Sequence, residues 1–336
     1  MKATRADVAK LAGVSTATVS YVLNKSKKIS PETTERVMDA VRALNYTPDM
    51  IARSMAVKKS MQLAIFLENI SNPLYGDIVR GFESSANLKG YSVIVCTSAQ
   101  RHQEYIGQAI SRRLDGILML MMPFRYDDDA LDKLTDHGIR VVTSGFFNVD
   151  LKKCSSIEND YITAMRELMQ HLYERGHRDI AFITGLSRDF EFDHRVSGYL
   201  KMVEELGLPC GDDLLIDGRP PYDTTMQAGY DLTQRILKTG KRFTALICVN
   251  DLTAFGAYTA LQEHGLRIPE DVAVAGFDDI LFSKFCNPPL TTMSINKFEF
   301  GKKAFELLHS SIKHGTTGFY LNHLDLVQRR STDVFR

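Results

Sequence analysis

The sequence predicts a small all-α domain followed by two α/β lobes, each built on a doubly wound parallel sheet. Helical apolar spacing with capping residues fills the first sixty residues, and short apolar strands alternate with amphipathic helices from residue 61 onward. A chain of 336 residues is also too long for one ordinary core, which favours one small and two larger units.

Charge is distributed unevenly, although the whole chain carries 41 basic and 41 acidic residues. Residues 1–60 contain eleven Lys or Arg against five Asp or Glu, and residues 61–336 contain thirty against thirty-six. A basic module on an acidic body predicts a polyanionic partner for the module alone. Charge by itself would favour a solvated basic surface.

Cysteine usage and hydropathy indicate the compartment. The five cysteines occur singly, without a C-x-x-C pair, which is typical of a reducing environment. The N-terminus lacks the apolar segment of a secretory signal, and the longest apolar run, Ile117–Met122, is too short to span a bilayer. We therefore expect a cytoplasmic protein with no membrane partner.

Three short helical patterns fill the first 47 residues. Thr4 with Asp7 can cap the first helix, which stops at Gly13, and Ser15 can cap the second. The run 30–32, Ser-Pro-Glu, is a typical start for the third. The apolar positions are Val8, Leu11 and Ala12, then Val19, Val22 and Leu23, then Val37, Val41 and Leu44. Two short helices joined by a tight turn, with a third behind them, predict a helix-turn-helix.

The polar face of the second helix favours DNA binding over a purely structural bundle. Small residues at its start allow the backbone to approach the bases, and Ser and Thr hydroxyls can bind phosphates or base edges. The basic charge of the same segment agrees with this interpretation.

Strands and helices alternate in two series after residue 61. In the first, strands are predicted at Leu63–Leu67, Tyr91–Cys96, Gly116–Met121 and Val141–Ser144, and helices at Tyr75–Leu88, Glu104–Leu114 and Asp128–His137. In the second, strands are predicted at Asp179–Thr184, Ala245–Val249 and Val272–Ala275, and helices near 161–175, 195–206, 225–238 and 252–264. Ligands bind at the carboxyl ends of parallel strands, so two such lobes predict a cleft between them.

Polar and aromatic side chains follow several of these strands. They are Tyr75, Asp160, Arg195, Asn250 and Asp278. One cation, carboxylates, an amide and an aromatic ring suit a polyhydroxylated ligand. Taken singly, each has an ordinary alternative: Asp160 could cap a helix, Arg195 could pair with a surface acid, and Tyr75 could belong to the core. Their common placement favours a ligand site.

Catalytic and metal-binding patterns are not found in the sequence. It contains no G-x-G-x-x-G, Walker-type loop, H-E-x-x-H or G-x-S-x-G. The nine histidines are scattered, and the acidic run at 127–129 lacks the glycine and glutamate of a calcium loop. We therefore expect no enzyme activity, no metal and no cofactor.

Residues 7–20, DVAKLAGVSTATVS, resemble the opening signature of the lactose-repressor (LacI/GalR) family of bacterial transcription regulators. The resemblance continues at 22–24 and 45–48, and later at 250–251, 276–279, 289–292 and 330–332. It covers essentially the whole chain and implies two lobes like those of periplasmic binding proteins. The domains expected are 1–47 for the helix-turn-helix, 48–60 for a hinge helix and linker, 61–160 plus about 293–318 for the N-terminal lobe, and 161–292 plus about 319–336 for the C-terminal lobe.

The resemblance implies that Thr16, Ala17 and Tyr21 read base edges in the major groove, although the family often has arginine at position 21. Residues 49–56 resemble the family's hinge helix, with Met55 at the position that wedges into the minor groove; a linker that never folds is the alternative. The candidate DNA contacts are Thr4, Ser15, Thr16, Ala17, Thr18, Ser20, Tyr21, Asn24, Arg53 and Met55.

For the cleft, the resemblance implies that Arg195, Asn250 and Asp278 contact the effector, with Asp160 and Tyr75 as neighbours. Tyr222 is the candidate aromatic platform. Ile295 departs from the glutamine that many relatives have near the cleft, so the identity of the ligand stays open.

These features predict a sequence-specific regulator, a repressor, whose affinity for an approximately palindromic operator is controlled by a sugar or sugar derivative. One helix-turn-helix reads a half-site, so a homodimer is expected, and no leucine heptads follow Thr332 to join dimers into a tetramer. When bound to DNA, such a protein would be associated with the nucleoid. A carbohydrate-binding or carbohydrate-acting α/β protein without a DNA role is the alternative.

Overall fold

The computed structural model describes residues 3–24, 27–46, 59–97, 101–120, 128–145, 149–185, 193–209, 211, 213–218 and 223–333. The chain divides into two compact units, Met1–Ser60 and Met61–Arg336. The candidate hinge at 49–56 lies outside the described residues. No helix in the part of the chain described is long and apolar enough to cross a membrane.

The first unit contains three helices, α1 (Arg5–Ala12), α2 (Thr16–Asn24) and α3 (Pro31–Ala43). Thr4 and Asp7 form the predicted reciprocal cap of α1, and Gly13 ends it in the left-handed conformation, at φ 64°. The core of this unit is built from Val8, Ala9, Ala12, Val19, Val22, Val37, Ala40 and Tyr46. Leu11, expected on the inner face, is 57% exposed, because the buried face of α1 passes through Val8, Ala9 and Ala12 instead.

The first lobe of the second unit contains a six-stranded sheet in which all strands are parallel. Its strands are β1 (Gln62–Phe66), β2 (Ser92–Cys96), β3 (Gly116–Leu120), β4 (Arg140–Ser144), β5 (Ser155–Asn159) and β11 (Phe319–Asn322), in the order β11-β5-β4-β3-β1-β2. Its helices are α4 (Pro73–Leu88), α5 (His102–Ser111), α6 (Asp128–Asp136) and α11 (Lys297–His314).

The second lobe contains another six-stranded sheet. Its strands are β6 (Ile180–Ile183), β7 (Leu215–Ile216), β8 (Ala245–Cys248), β9 (Ala273–Asp278), β10 (Thr291–Ser294) and β12 (Asp325–Val327), in the order β12-β10-β9-β8-β6-β7. Its helices are α7 (Tyr161–Glu174), α8 (His194–Glu205), α9 (Met226–Lys238) and α10 (Asp251–Glu263), with short 3₁₀ turns at Leu281–Lys284 and Arg330–Thr332. The prediction of two parallel-sheet lobes is confirmed, with two differences. Strand β12 runs antiparallel to β10, and five strands, β5, β7, β10, β11 and β12, were not predicted.

The chain passes between the two sheets three times, after β5, after β10 and after β11. The structure differs in detail from the expected lobe boundaries, which were about 293 and about 319. Thr291–Ser294 pairs with β9 of the second sheet, and Phe319–Asn322 pairs with β5 of the first. The turn at Gly315–Gly318 therefore leads into one more strand of the first lobe, and the chain crosses only beyond Asn322.

Two glycines set the position of α9 against α10. A Cβ atom on Gly256 would lie 1.9 Å from the Met226 carbonyl oxygen, and one on Gly229 would lie 2.1 Å from the Thr253 carbonyl oxygen. Because the helices approach backbone to backbone, their first turns are held together at the carboxyl edge of the second sheet. Met226 and Leu252 are both part of the pocket described below.

Candidate functional sites

Helix α2 presents small polar residues on its outer face. Thr16 and Ala17 are exposed, whereas Val19 and Val22 are buried in the core of the first unit. The apolar seam therefore faces inward and the predicted reading positions face outward. This arrangement leaves the start of α2 open to a groove of DNA.

Several predicted DNA contacts are also used to build the ends of helices. The Thr4 hydroxyl accepts a hydrogen bond from the Asp7 amide at 3.3 Å, and the Ser15 hydroxyl accepts one from the Thr18 amide at 3.0 Å. The Ser15 and Thr18 hydroxyls also lie 2.9 Å apart. These hydrogen bonds fix the orientation of the first turns of α1 and α2.

Tyr21 is half-buried, and the Lys27 ammonium lies 4.5 Å from the centre of its ring. A cation over an aromatic face is an attractive contact, so Lys27 and Tyr21 form one unit rather than two independent contacts. Ser20 is also half-buried. Arg53, Met55 and the side chain of Asn24 lie outside the described part of the first unit.

A pocket of about 350 Å³ lies between the carboxyl ends of the two sheets. The loop after β1 supplies Glu68, Asn69, Ser71, Asn72 and Tyr75, and the second lobe supplies residues 223–227 and Leu252. Asn72 caps α4 by accepting a hydrogen bond from the Leu74 amide at 3.0 Å. Burial, and then the nearby Asp223 carboxylate, raise the pKa of Glu68. The described wall of this pocket is therefore rich in acceptor oxygens.

Arg195, at the start of α8, is held by a set of fixed contacts. Its side chain is 15% exposed and pairs with Asp193, whose side chain is 2% exposed, at 2.9 Å between Nε and Oδ1. A second nitrogen donates to the Val249 carbonyl at 2.9 Å. The guanidinium carbon lies 4.5 Å from the centre of the Tyr161 ring and 6.0 Å from that of Phe277. An ion pair and two aromatic faces thus pre-organise this cation.

Asp278 ends β9 at a sharp corner of the chain. It is 3% exposed, its φ is 103°, and the next residue, Asp279, has φ 49°. Burial, and then the buried Asp251 carboxyl, raise the pKa of Asp278 to about 8, against the opposing influence of Arg195 and Lys297. At neutral pH the Asp278 carboxyl is mostly protonated and can donate as well as accept a hydrogen bond.

Tyr75 joins the pocket to these two residues. It is buried, and its pKa is raised by burial, by Glu68 and by Asp278, while Arg195 acts in the opposite direction. Three of the six predicted effector residues, Tyr75, Arg195 and Asp278, therefore lie close enough together to influence each other's charge. The structure brings them together from both lobes.

The other predicted effector residues are placed differently. Asn250 caps α10 by accepting from the Thr253 amide at 2.8 Å, and its amide nitrogen donates to the Thr224 carbonyl at 3.1 Å, beside the pocket. Asp160 caps α7, accepting from the Thr163 amide at 3.1 Å, which is the ordinary alternative considered for it. Tyr222 lies outside the described residues.

Four residues at these sites were not among the predicted site residues: Asp193, Tyr161, Phe277 and Glu68. Asp193 could have been found from its spacing, because an acid two residues before Arg195 can cap α8 and pair with the guanidinium. Tyr161 and Phe277 are core positions by pattern, and their rings pack edge to face at 6.0 Å. Only the fold shows that this pair supports Arg195.

Asp251, which follows Asn250, has a structural role. Its carboxylate accepts hydrogen bonds from the Ile280 amide, the Ser283 hydroxyl and the Thr292 hydroxyl. Burial is the main cause that raises its pKa to about 6. The three bonds join α10, β10 and the turn after β9 behind Asp278. Among the described residues, no group of three His, Cys, Asp or Glu side chains is arranged to hold a metal ion.

A helix-turn-helix with an open second helix, combined with two lobes around a polar pocket, defines a DNA-binding transcription regulator with an effector-binding domain. Family comparisons agree on both parts. Residues 4–49 match the bacterial regulatory proteins of the lacI family, and residues 169–332 match the periplasmic binding protein-like domain. The chain belongs to the lacI family and is a DNA-binding transcriptional repressor of that family.

Relatives and solved structures match nearly the whole length of the chain. The HTH-type transcriptional repressor PurR of Actinobacillus pleuropneumoniae serotype 3 is 33% identical over 98% of both chains, and that of Vibrio cholerae serotype O1 (strain M66-2) is 34% identical over 93% of this chain and 92% of its own. The lac repressor dimer bound to operator and the anti-inducer ONPF is 26% identical over 99% of both chains, with a TM-score of 0.83. The transcriptional regulator CelR in complex with cellobiose is 28% identical, with a TM-score of 0.73, over 98% of this chain and all of CelR.

Proposed function

We propose that this repressor binds an approximately palindromic operator as a homodimer and that a sugar or sugar derivative, bound between the lobes, controls its affinity for DNA. The observation that supports this most directly is that Arg195 and Asp278 lie close to Tyr75, which lines the pocket. A buried cation held by Asp193, a protonated carboxyl and an aromatic ring match the hydroxyls and apolar face of a sugar.

The described wall of the pocket favours an uncharged sugar over a sugar phosphate. Glu68 and Asp223 both line it and would repel an anionic ligand. Arg195 already pairs with Asp193, so its charge is largely compensated. CelR, a structural relative, is described in complex with cellobiose, which supports a sugar as the ligand class.

DNA binding is assigned to the exposed start of α2, with Thr16 and Ala17 against the bases and Tyr21 supported by Lys27. Arg53 and Met55, which lie outside the described residues, are also assigned to the DNA contacts, with Met55 at the minor groove. On DNA the protein would be associated with the nucleoid. A carbohydrate-acting enzyme would need an acid and base poised at the pocket, and the repressor names of the relatives favour regulation instead.

A thermal-shift screen of the full chain tests the ligand assignment. The probes are cellobiose, ribose, glucose, glucose 6-phosphate and hypoxanthine, each at 10 mM. A compound that binds only the folded state at about a hundred times its Kd stabilises that state by about 2.7 kcal/mol, which is a measurable rise in Tm. We expect at least one uncharged sugar to raise the Tm, and the rise to vanish in Arg195→Ala. A shift with hypoxanthine alone would contradict a sugar ligand.

Selection of DNA from a random duplex library tests the operator assignment independently. We expect the enriched sequences to contain two inverted half-sites, and light scattering of the protein to give the mass of a dimer. A tetrameric mass, or a single half-site with no inverted repeat, would contradict the proposed assembly. A substrate-turnover assay on the same sugars addresses the carbohydrate-acting alternative.

A further inference from the structure

Helix α11 begins with a cation, Lys297. The amino end of a helix carries a positive partial charge, so its first turn favours acids and disfavours cations. Asn296 caps α11 and Glu299 supplies the acid, yet Lys297 is the first helical residue. A side chain placed against this preference is expected to have a partner elsewhere.

The partners of Lys297 are main-chain carbonyls at the corner after β9. Its ammonium donates to the carbonyl of Asp278 at 2.7 Å, to that of Asp279 at 2.8 Å and to that of Ile295 at 3.3 Å. An ammonium has three protons, and here all three are used. Lys297 therefore acts as a donor to the corner that carries Asp278.

This corner needs external support. Both Asp278 and Asp279 have positive φ, which is costly for residues with side chains and persists only where the surroundings enforce it. The Asp279 carboxylate accepts from Arg329 at 2.6 Å and from the Ser294 hydroxyl at 3.2 Å. Arg329, which follows β12, and Lys297, which follows β10, thus converge on the same two residues.

The bonds of Lys297 join the two lobes. Helix α11 packs backbone to backbone on α4 in the first lobe, because a Cβ on Gly81 would lie 2.1 Å from the Phe298 carbonyl oxygen and one on Gly301 would lie 2.1 Å from that of Ile78. The Lys297 main chain must move with that lobe, whereas its ammonium holds carbonyls of the second. A hydrogen bond of 2.8 Å is lost when it lengthens by about 0.7 Å, so a small lobe rotation suffices to release the corner.

We propose that Lys297 is a positioning residue: its ammonium holds the Asp278 corner in place and makes the position of Asp278 depend on the arrangement of the lobes. This inference rests on the proposed role of Asp278 as a ligand contact. In this proposal, the segment that leads from β10 into α11 couples movement of the lobes to the position of Asp278.

Hydrogen exchange of the full chain without ligand tests the proposal. Lys297→Met keeps the length and apolar contacts of the side chain but removes the three donated bonds. We expect the amides of residues 279 and 280, which donate to Thr292 and Asp251, to exchange at least tenfold faster in this variant. Lys297→Arg retains charged donors and should restore part of the protection. The control is Lys302→Met, on the same helix, where the ammonium pairs with Glu299 instead.

A second readout distinguishes positioning from general stability. Carboxyl-carbon NMR of Asp278 should show a higher pKa in Lys297→Met than in the unaltered chain, because a nearby cation is removed. Unchanged exchange at 279–280, or equally faster exchange across both lobes, would overturn the proposal. Since no ligand is added, these outcomes do not depend on the sugar screen. If exchange at 279–280 became faster in Lys297→Met but no sugar raised the Tm, only the ligand assignment would be refuted.

Discussion

Replacing Asp278 by asparagine should remove a pH dependence of the free energy of unfolding. Asparagine has nearly the same shape but cannot ionise. In the native chain the pKa of Asp278 is raised from 3.8 to about 8, first by burial and then by Asp251. A raised carboxyl pKa means that the folded state binds the proton more tightly than the unfolded state. The resulting stability is complete below about pH 4 and is lost as the pH rises through about 8.

The size of the loss follows from these two pKa values. Between pH 7 and pH 9 the unfolded chain has already released the Asp278 proton, while the folded chain changes from mostly protonated to mostly ionised. Protonation of Asp278 favours the folded state by a factor that depends on how far the pH lies below the native pKa of about 8. Between pH 7 and pH 9 this factor falls about tenfold, which lowers the free energy of unfolding by about 1.4 kcal/mol. Asp278→Asn should lack this decrease.

Urea unfolding of the full chain at pH 7 and pH 9 measures the effect. The relevant quantity is the difference between the unaltered chain and Asp278→Asn at each pH, because other groups that titrate in this range cancel. Asp325→Asn is the matched control, since the Asp325 side chain is 80% exposed. If the unaltered chain and Asp278→Asn lost the same stability between the two pH values, the assignment of a protonated Asp278 would be wrong.

Three further tests use substitutions in other parts of the structure. Tyr21→Ala should change which operator sequences are selected. Lys27→Ala should weaken binding to all sequences and alter the sequence preference slightly, through its contact with Tyr21. If Tyr21→Ala selected the same sequences as the unaltered chain, α2 would be excluded as the helix that contacts the bases. Arg195→Met should lower the free energy of unfolding by about 3–5 kcal/mol, because it leaves Asp193 buried and without its ion-pair partner. Thermal unfolding should show that adding Asp193→Asn recovers most of this loss. A loss below about 1 kcal/mol in Arg195→Met would argue against a stabilising ion pair. Gly256→Ala should separate α9 from α10 and lower the free energy of unfolding by about 1–3 kcal/mol. The control is Gly107→Ala, at a helical position with open space around it, which should be neutral or stabilising. Equal effects of the two substitutions on the free energy of unfolding would contradict the close packing of α9 on α10.

The sequence predicted most of the strands that read as continuous apolar runs. The β3 prediction, for example, overlaps Gly116–Leu120 along its whole length. Strand β5 was missed because its residues, SSIEN, are mostly polar; the buried Glu158 is accommodated by bonds from Ser156 and the Gly145 amide. Strand β11 was not predicted, and its residues, 319–322, were assigned to the wrong lobe, because an exposed edge strand has no pattern that identifies its partner sheet.

The sequence could predict which side chains follow a strand, but not which contacts cross between elements. Tyr75, Arg195 and Asp278 all lie at the carboxyl edges of sheets, which the alternation of strands and helices reveals. The role of Tyr161 beneath Arg195 depends on the distance between α7 and α8, and the role of Lys297 depends on a helix in one lobe reaching the other. Neither of these distances between elements can be predicted from the spacing of residues along the sequence.

The path of the chain between the two lobes also determines when each sheet can be completed during synthesis. During synthesis from the amino end, strands β1 to β5 emerge early, but helix α11 and the edge strand Phe319–Asn322 of the same sheet emerge only after nearly all of the second lobe. The first sheet is complete only when Phe319–Asn322 has been made, and the second only when Asp325–Val327 has been made. The half-finished first lobe therefore waits with β5 as an open edge, the kind of surface on which nascent chains pair wrongly and which chaperones protect.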